Sequence, residues 1–329
     1  MSILCSGSFV ADILVPDLPY IGLPGSLVYA PSGIHLSPGG HSSNVAINLV
    51  QLGAKNIHAV GSIGKDEIGD LIVEQLKNRG VNTIPEVKIQ STTAKNIALL
   101  VKGEDRRFIS ELTANSLLSS EHLKKTIKKI QPKFFYQGTL GGLPDIEKNL
   151  KEILIDIKNS GALVFIDVIM PNNGWNYLNK VLPFVDIFHA NRSEVQSLTE
   201  SKDPNKAVRM LVENGVKLVV ITDAQNGLIA GTNKLRIEMP AYQVDQIDPT
   251  GAGDALSAGI IDYLQRAPTQ KEIINNPKTL SELLLWAQAA GSACVTGLGA
   301  TTNVKKEYLK EILSQQRYNI LKRTLIERI

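Results

Sequence analysis

Short apolar runs that end in small or polar residues recur along the chain. Such runs are typical of parallel strands buried on both faces, because helices cover both sides of a parallel sheet. We predict a strand in each of six runs: ILCSGSFV (3–10), IHAVGSIG (57–64), KFFYQG (133–138), ALVFIDV (162–168), DIFHAN (186–191) and KLVVIT (217–222). Asp12 then follows the end of the first predicted strand.

Segments with apolar positions at helical spacing separate the predicted strands. Four of them end in a glycine that can cap a helix: NVAINLVQLG (44–53), DEIGDLIVEQLKNRG (66–80), DIEKNLKEILIDIKNSG (145–161) and PNKAVRMLVENG (204–215). This alternation predicts an α/β fold with a doubly wound, mostly parallel sheet that carries helices on both faces. Ligands of such folds bind at the carboxyl ends of the strands.

Two segments interrupt the alternation. Residues 14–38 carry Pro and Gly at short intervals, and TAKNIALLVKGEDRRFISEL (93–112) is typical of two strands joined by a turn at Gly103-Glu104-Asp105. They predict a small β-sheet beside the α/β core, which is either an active-site lid or a pair of surface hairpins without functional motion. The predicted division is a core of residues 1–12, 38–92 and 113–329, and a β lid of residues 13–37 and 93–112.

Composition indicates a soluble globular protein with one large domain. Hydrophobic residues make up 43% of the 329 residues and charged residues 20%, which is enough apolar material for a sizeable core. The balance of 35 basic and 32 acidic residues gives a net charge of only +3, so we expect no nucleic-acid surface. The basic C-terminal segment 304–329 is typical of a solvated helix face, and no apolar run is long enough to predict a membrane span.

The two cysteines, Cys5 and Cys294, lie in apolar stretches. This placement favours buried thiols in a reducing compartment over a disulfide framework. The first ten residues lack the basic start and long apolar run of a secretion signal, and Asp12 interrupts any such run. We therefore expect a cytoplasmic protein.

The stretch DPTGAGD (248–254), followed by ALSAGIIDYLQ, places glycines and a carboxylate at the start of a predicted helix. The free backbone N–H groups and the helix dipole there favour an anion. A carboxylate at Asp254 would repel a bound phosphate, unless it takes a proton from the group that attacks the phosphate. The pattern fits phosphoryl transfer to an alcohol, but it also fits a tight turn whose Asp254 merely complements the helix dipole.

Three other kinds of site are not supported by the spacing of residues. Asp66 follows Lys65 in GSIGKDEIGD, so a Walker A loop is excluded, and the glycines of a dinucleotide-binding fingerprint are missing after the first strand. The histidines lack the spacing of zinc ligands, and we expect ordinary surface or core residues at His35, His41, His58, His122 and His189.

Four motifs in order resemble those of the ribokinase-like carbohydrate kinases, the PfkB family. They are SPGGHSSNVAINLVQLGAKNIHAVGSIGKDEIGD (37–70), NRSE (191–194), DPTGAGDALSAG (248–259) and AGSACVTGLGATT (290–302). The resemblance covers nearly the whole chain and implies a kinase that transfers the γ-phosphoryl group of MgATP to a hydroxyl of a small sugar. A nucleoside kinase of the same fold and a non-catalytic sugar- or nucleotide-binding sensor are the alternatives.

The resemblance implies a role for each matching residue. Asp254 would be the general base, and the amides of Gly251, Ala252 and Gly253 would form the anion hole. The sugar-binding residues would be Asp12, Gly39, Gly40 and Asn44. His41, Ser42 and Ser43 fill the variable part of that motif and should tune which substrate is accepted.

On the nucleotide side, the resemblance implies contacts from Asn191, Thr222, Gly227 and Gln288, with Glu194 organising Mg²⁺ indirectly. Asn191 and Glu194 could instead simply start a helix, and Gln288 could face solvent. The nucleotide loop departs from the family pattern T-x-G-x-x-G, because TDAQNG (222–227) has Ala224 in place of the first glycine.

The family resemblance also implies a monovalent-cation site, with K⁺ as the expected ion. The matching positions are Asp248, Thr250, Cys294, Gly297, Gly299 and Asn303. Relatives often dimerise by pairing their lid sheets, so a homodimer through the lid is expected as well.

Overall fold

The computed structural model describes residues 1–104, 106–170, 174–267 and 270–329. Strands in these ranges, in chain order, are β1 (Ile3–Ser6), β2 (Val10–Leu18), β3 (His35–Gly39), β4 (Ile57–Gly64), β5 (Asn82–Lys88), β6 (Lys95–Val101), β7 (Arg107–Ser110), β8 (Phe134–Leu140), β9 (Leu163–Val168), β10 (Ile187–Asn191), β11 (Leu218–Thr222), β12 (Leu228–Gly231), β13 (Leu235–Met239) and β14 (Leu325–Arg328). Helices are α1 (His41–Gln51), α2 (Glu67–Asn78), α3 (Ser120–Ile130), α4 (Pro144–Asn159), α5 (Arg192–Thr199), α6 (Pro204–Glu213), α7 (Ala252–Gln265), α8 (Gln270–Asn275), α9 (Pro277–Cys294) and α10 (Lys306–Arg323).

A ten-stranded sheet forms the centre of the protein, in the order β14-β13-β12-β11-β10-β9-β8-β1-β4-β5. The strands from β5 to β11 in this order run parallel, and β12, β13 and β14 add an antiparallel edge. The predicted doubly wound, mostly parallel sheet is confirmed. Reasoning from the sequence did not anticipate the antiparallel edge, and β14 follows the predicted C-terminal helix.

Helices cover both faces of the large sheet with separate apolar cores. One core includes buried residues of α1, α2, α7, α9 and α10, and the other includes buried residues of α3, α4, α5 and α6. The glycines that end the predicted helices adopt positive φ angles after α1, α2, α4 and α6, as expected for C-caps. Among the described residues, no helix combines the length and the apolarity needed to cross a membrane.

A second, four-stranded sheet has the order β3-β2-β6-β7. Its strands fall in the two segments that interrupt the alternation, although β2 begins at Val10 and β3 ends at Gly39, so the sheet extends slightly beyond residues 13–37. The predicted turn follows β6 and includes Gly103, whose φ is 77°. Asp105 of that turn lies outside the described residues.

The prediction of one strand across residues 3–10 is wrong. β1 ends at Ser6, and Asp12 lies within β2 of the small sheet, paired with Ser37 on one side and Asn96 on the other. The apolar run is continuous because both strands are buried, and the pattern of side chains cannot show that the chain leaves one sheet for the other between them.

Candidate active site

A cavity of about 660 Å³ lies at the carboxyl ends of β9, β10 and β11, where the fold class predicts a ligand site. The first turn of α7 and residues of α9 also line it. Predicted site residues on its surface are Asn191, Glu194, Thr222, Gly227, Gly251, Ala252, Gly253, Asp254 and Gln288. The sequence motifs, which are far apart in the chain, therefore meet in one place.

The start of α7 depends on a glycine in a left-handed conformation. Gly251 is the N-cap and has a φ of 78°. A Cβ atom there would lie 2.3 Å from Ala300 Cβ and 2.6 Å from Ala300 Cα. Neither the backbone angle nor the space tolerates a side chain, so the turn requires glycine.

The first-turn amides of α7 face the cavity without acceptors in their own helix. The N–H of Ala252 makes only a long contact of 3.5 Å with the carbonyl oxygen of Pro249. Asp254 stands in the same turn and is only 6% exposed. A row of amide donors and a carboxylate therefore share one wall of the cavity.

Asp254 has one bound and one available carboxylate oxygen. Its Oδ2 accepts a 2.8 Å hydrogen bond from Asn44 Nδ2, whereas its buried Oδ1 has no hydrogen-bond partner among the described residues. Burial raises the pKa of Asp254, and the hydrogen bond from Asn44 opposes this effect. An oxygen that can take a proton at a pKa shifted toward neutrality is what a general base requires.

The residues predicted to bind the sugar lie on β2, on β3 and at the start of α1. Asn44 contacts the Asp254 carboxylate, but Asp12, Gly39, Gly40 and Asn44 are not among the described residues that line the cavity. Asp12 Oδ1 accepts a 3.1 Å hydrogen bond from Asn96 Nδ2, and its side chain packs so closely on Gly39 that a Cβ there would lie 1.9 Å from Asp12 Oδ2. Gly40, with a φ of 88°, has the carbonyl of Ser8 at 2.5 Å from a would-be Cβ. Burial raises the pKa of Asp12 to about 6.

Asn191 and Glu194 start α5 and also line the cavity. They form a capping box in which Asn191 Oδ1 accepts from the Glu194 amide at 2.9 Å and Glu194 Oε2 accepts from the Asn191 amide at 2.7 Å. Burial raises the pKa of Glu194, which this amide opposes. Asn191 and Glu194 therefore do start a helix, and both also line the cavity.

The loop after β11 has the backbone of a glycine-rich loop. Ala224, which stands where the family pattern has glycine, has a φ of 45°, and Gly227 has a φ of 102°. A Cβ on Gly227 would lie 2.0 Å from the carbonyl oxygen of Met239. The loop therefore keeps its turn with Ala224 in place of glycine, but the alanine must adopt an unfavourable left-handed conformation.

Gln288 lies on α9 with its side chain 6% exposed, so the alternative of a solvent-facing residue is wrong. Its Oε1 is buried, lacks a hydrogen-bond partner among the described residues, and belongs to a residue that lines the cavity. An unsatisfied acceptor of this kind is suited to a ligand donor.

The positions predicted for a monovalent cation meet behind the Gly251 turn. Asp248 is fully buried, and its two oxygens accept from the amides of Thr250 and Gly299, both at 2.9 Å. Cys294 Sγ lies 3.4 Å from the Thr250 carbonyl oxygen. Asn303 Nδ2 donates to the Thr296 carbonyl oxygen at 3.1 Å. In the described ranges, Asp248 has no Lys, Arg or His ion-pair partner.

Two histidines that we expected to be ordinary residues line the cavity, as does Asp167. His189 Nδ1 lies 3.0 Å from Asp167 Oδ1, and Asp167 Oδ2 accepts from Tyr136 and Ser257, each at 3.0 Å. His41, the second histidine, is described below. The signal in the sequence was a polar residue near the end of each of two buried runs, ALVFIDV and DIFHAN.

Comparison with known proteins bears on the whole chain. A sequence model of the pfkB family of carbohydrate kinases matches residues 2–307. The chain belongs to this family. It is therefore a carbohydrate kinase of an ATP-dependent class.

Relatives and solved structures agree with this assignment. A probable fructokinase-5 from Arabidopsis thaliana is 27% identical over 310 residues, covering 91% of this chain and 92% of the relative. A fructokinase from Solanum tuberosum is 28% identical over 310 residues, an alignment that covers 91% of this chain and 93% of the relative. A fructokinase from Xylella fastidiosa with bound ATP has the same fold, with a TM-score of 0.80, 24% identity, and coverage of 96% and 99%.

Proposed function

We propose that the protein transfers the γ-phosphoryl group of ATP to a hydroxyl of a small sugar. Asp254 acts as the general base, and the amides of Gly251, Ala252 and Gly253 form the anion hole. The observation that carries the proposal is the buried carboxylate of Asp254. Its Oδ1 has no hydrogen-bond partner among the described residues, and Asp254 stands in the first turn of α7, where amides lack acceptors in their own helix.

In the proposed step, Asp254 Oδ1 takes the proton of the acceptor hydroxyl while the hydroxyl oxygen bonds to the γ-phosphorus. The bond from that phosphorus to the bridging oxygen of ADP breaks, and ADP leaves with the electron pair. The first-turn amides of α7 donate to the phosphoryl oxygens, where negative charge must be stabilised throughout the transfer.

Carboxylate oxygens fit the ligand preference of Mg²⁺, and Glu194 supplies one at the cavity wall. Among the described residues no group of three His, Cys, Asp or Glu side chains could enclose a metal ion, so Mg²⁺ would be held largely by the nucleotide phosphates and water. When bound, Mg²⁺ would neutralise negative charge on the phosphates. Asn191 and Glu194 would organise that complex, and Thr222, Gly227 and Gln288 would contact the nucleotide.

The buried carboxylate of Asp248, which lacks a cationic partner in the described ranges, fits a monovalent cation such as K⁺. Carbonyl oxygens of Thr250, Cys294, Gly297 and Gly299 and the side chain of Asn303 would complete the shell. The ion would hold the Gly251 turn from behind. Replacing K⁺ by a larger organic cation at constant ionic strength should then lower the rate, and an unchanged rate would remove this part of the proposal.

Fructose is the first acceptor to test, because curated relatives that match along most of their length carry the name fructokinase. Asp12, Gly39, Gly40 and Asn44 would bind the sugar, since carboxylate and amide groups complement hydroxyls that both donate and accept. Ribose, a ketodeoxy sugar acid, inositol and a nucleoside complete the panel. ADP release above background with MgATP identifies the acceptor.

The decisive variant is Asp254→Asn. It should fold and bind nucleotide while its kcat falls by on the order of 10²–10⁴, the usual contribution of a general base. Asp70→Asn is a matched control, because Asp70 also stands in the first turn of a helix but is exposed. Nucleotide or sugar binding without turnover in the unmodified protein would favour a sensor, and substantial activity of Asp254→Asn would exclude its role as base.

We also propose two roles for the four-stranded sheet. It covers the bound sugar as a lid, and it forms the contact between the two subunits of a dimer. The lid segments carry exposed apolar side chains that a partner's sheet would cover: Tyr20, Leu23, Leu27, Tyr29, Ile34, Phe108 and Ile109. Light scattering should give the mass of a dimer, and Ile109→Lys should lower it. A monomer at every working concentration would contradict the contact.

A further inference from the structure

His41 occupies the first position of α1 and reaches the active-site cavity. Its side chain is 22% exposed, and its ring is held by residues near the carboxyl end of β8. The amide of Thr139 donates a 2.8 Å hydrogen bond to His41 Nδ1. A Cβ on Gly138 would lie 2.5 Å from His41 Cβ, so the ring packs directly on the Gly138 backbone.

The hydrogen bond from Thr139 determines the tautomer of the ring. Because Nδ1 accepts a hydrogen bond from a backbone amide, the single proton of a neutral ring is at Nε2. A proton on Nδ1 would place two donors against each other, which disfavours the charged ring. Burial also lowers the pKa of His41, but the carboxylates of Asp254, Asp167 and Glu194 outweigh burial and raise it. Nε2 carries a proton in either protonation state. The Nε2–H group is therefore a fixed donor.

The carboxyl end of β8 has an unfavourable backbone conformation where it presents this amide. Thr139 has a φ of 58°, a left-handed conformation that is unfavourable for a β-branched residue, at an irregularity in the pairing of β8 with β9. Its Oγ1 accepts from the Ser8 amide at 3.2 Å and shares a 2.8 Å hydrogen bond with Ser8 Oγ, which hold the residue in place. Strain of this kind is concentrated at functional sites.

The Nε2–H donor faces the free oxygen of the proposed base. His41 Nε2 and Asp254 Oδ1 are 3.8 Å apart, which is too long for a direct hydrogen bond. A hydroxyl oxygen can lie at about 2.8 Å from both atoms, the ordinary length of such bonds. The oxygen would then lie beside the line that joins the two atoms, with a donor on one side and an acceptor on the other.

We propose that His41 positions the acceptor hydroxyl by donating its Nε2–H to one lone pair of the oxygen. This inference rests on the proposed role of Asp254. The hydroxyl proton passes to Asp254 Oδ1, His41 keeps its own proton, and the remaining lone pair forms the bond to phosphorus as the bond to ADP breaks. Besides its bond to carbon, the hydroxyl oxygen has three directions, one for its proton and two for its lone pairs. Because the proton points to Asp254 and one lone pair to His41, the lone pair that attacks phosphorus has a single orientation, which is the entropic advantage of a positioned reactant.

Ser42 and Ser43, which belong to the same variable part of the motif, are fully buried, and Ser42 Oγ donates to the Cys5 carbonyl oxygen at 2.8 Å. Of these three residues, His41 is the one that lines the cavity.

Two substitutions separate this role from simple packing. Glutamine can place an amide N–H where His41 Nε2 lies, whereas asparagine can place its oxygen near Nδ1, keeping the Thr139 contact but losing the donor toward Asp254. We expect His41→Asn to lower kcat on the order of tenfold, the value of one lost hydrogen bond, with the KM for ATP unchanged. His41→Gln should recover most of that kcat.

The assay uses MgATP with D-fructose, or with whichever acceptor of the panel the unmodified protein phosphorylates, and thermal unfolding of each variant. His58→Asn at the amino end of β4 is the control for a histidine that does not line the cavity, and its kcat should not change. Equal kcat values for His41→Asn and His41→Gln, whether high or low, would overturn the proposal. A protein that phosphorylates no acceptor would instead overturn the proposed function itself.

Discussion

The turn before α7 offers a quantitative test of the anion hole through Gly251→Ala. The substitution places a methyl group 2.3 Å from Ala300 Cβ and 2.9 Å from the Ala300 carbonyl oxygen, whereas carbon atoms in contact are about 3.5–4.0 Å apart. The turn and the loop behind it must therefore separate by more than about 1 Å. The new residue must also hold a φ of 78°, which favours glycine.

Each effect has a known scale. The left-handed conformation costs about 1–2 kcal/mol, and overpacking a buried site typically costs about 1–3 kcal/mol. The lower entropy of the unfolded chain with alanine returns about 0.4–1 kcal/mol. We expect a net loss of roughly 1–4 kcal/mol in the free energy of unfolding, and a loss in kcat on the order of 10² because the amide donors are displaced by that distance.

Gly53→Ala provides the matched control. Gly53 has a φ of 88°, and a Cβ there would meet nothing within 4 Å, so the substitution carries the conformational cost without the clash. Urea unfolding followed by tryptophan fluorescence measures both variants, and ADP release measures kcat. Adding Ala300→Gly should relieve part of the loss in Gly251→Ala, since the contact with Ala300 Cα remains. If Gly251→Ala were no less stable than Gly53→Ala and kept its kcat, the geometric argument would be refuted.

Three further predictions concern pH and backbone strain. Burial, and after it the charges of Asp254 and Asp248, raise the pKa of Asp12 from 3.8 to about 6. The charged form of Asp12 therefore lowers the free energy of unfolding as pH rises through this range, and the full loss is present above about pH 6. Asp12→Asn should raise the free energy of unfolding at pH 7 by up to about 3 kcal/mol, and this gain should vanish near pH 3.5 in urea titrations. In the unmodified enzyme, the KM for sugar should rise below about pH 6 as Asp12 takes up a proton and loses an acceptor, and a flat KM between pH 5 and pH 8 would contradict this. Ala224→Gly should raise stability by up to about 1 kcal/mol by relieving a φ of 45°, and a loss would show that the loop does not strain the alanine.

Much of the site could be predicted because its parts are local. The glycines and Asp254 are adjacent in the chain, and the capping box of Asn191 and Glu194 spans four residues, so spacing predicts a helix start in each segment. The roles expected of these residues came from the family resemblance. The parallel sheet then brings the segments to one edge. The sequence also shows that Ala224 breaks a pattern, and the left-handed φ explains why glycine is usual there.

The missed features depend on contacts between distant segments. The tautomer proposed for His41 depends on the Thr139 amide, which is 98 residues away in the chain and donates to Nδ1. His189 and Asp167 meet because β9 and β10 are neighbours in register. Asp12, which the sequence places at the end of a predicted strand, lies within β2 of the small sheet. Spacing within one segment contains none of this information.

One buried network connects α1, which carries the proposed sugar ligand Asn44, to the loop behind the proposed anion hole. Asn48 Nδ2 on α1 donates to the Ala300 carbonyl oxygen at 3.4 Å, and Cys294 Sγ lies 3.3 Å from the same oxygen. Ala300 in turn backs Gly251. Because α1 also carries Asn44, whose amide holds Asp254, the helix that supports the acceptor and the loop that supports the phosphoryl site share one rigid contact. In the proposed reaction, the packing of α1 against the loop behind α7 would set the distance between nucleophile and phosphorus, and a fixed distance favours an in-line transfer.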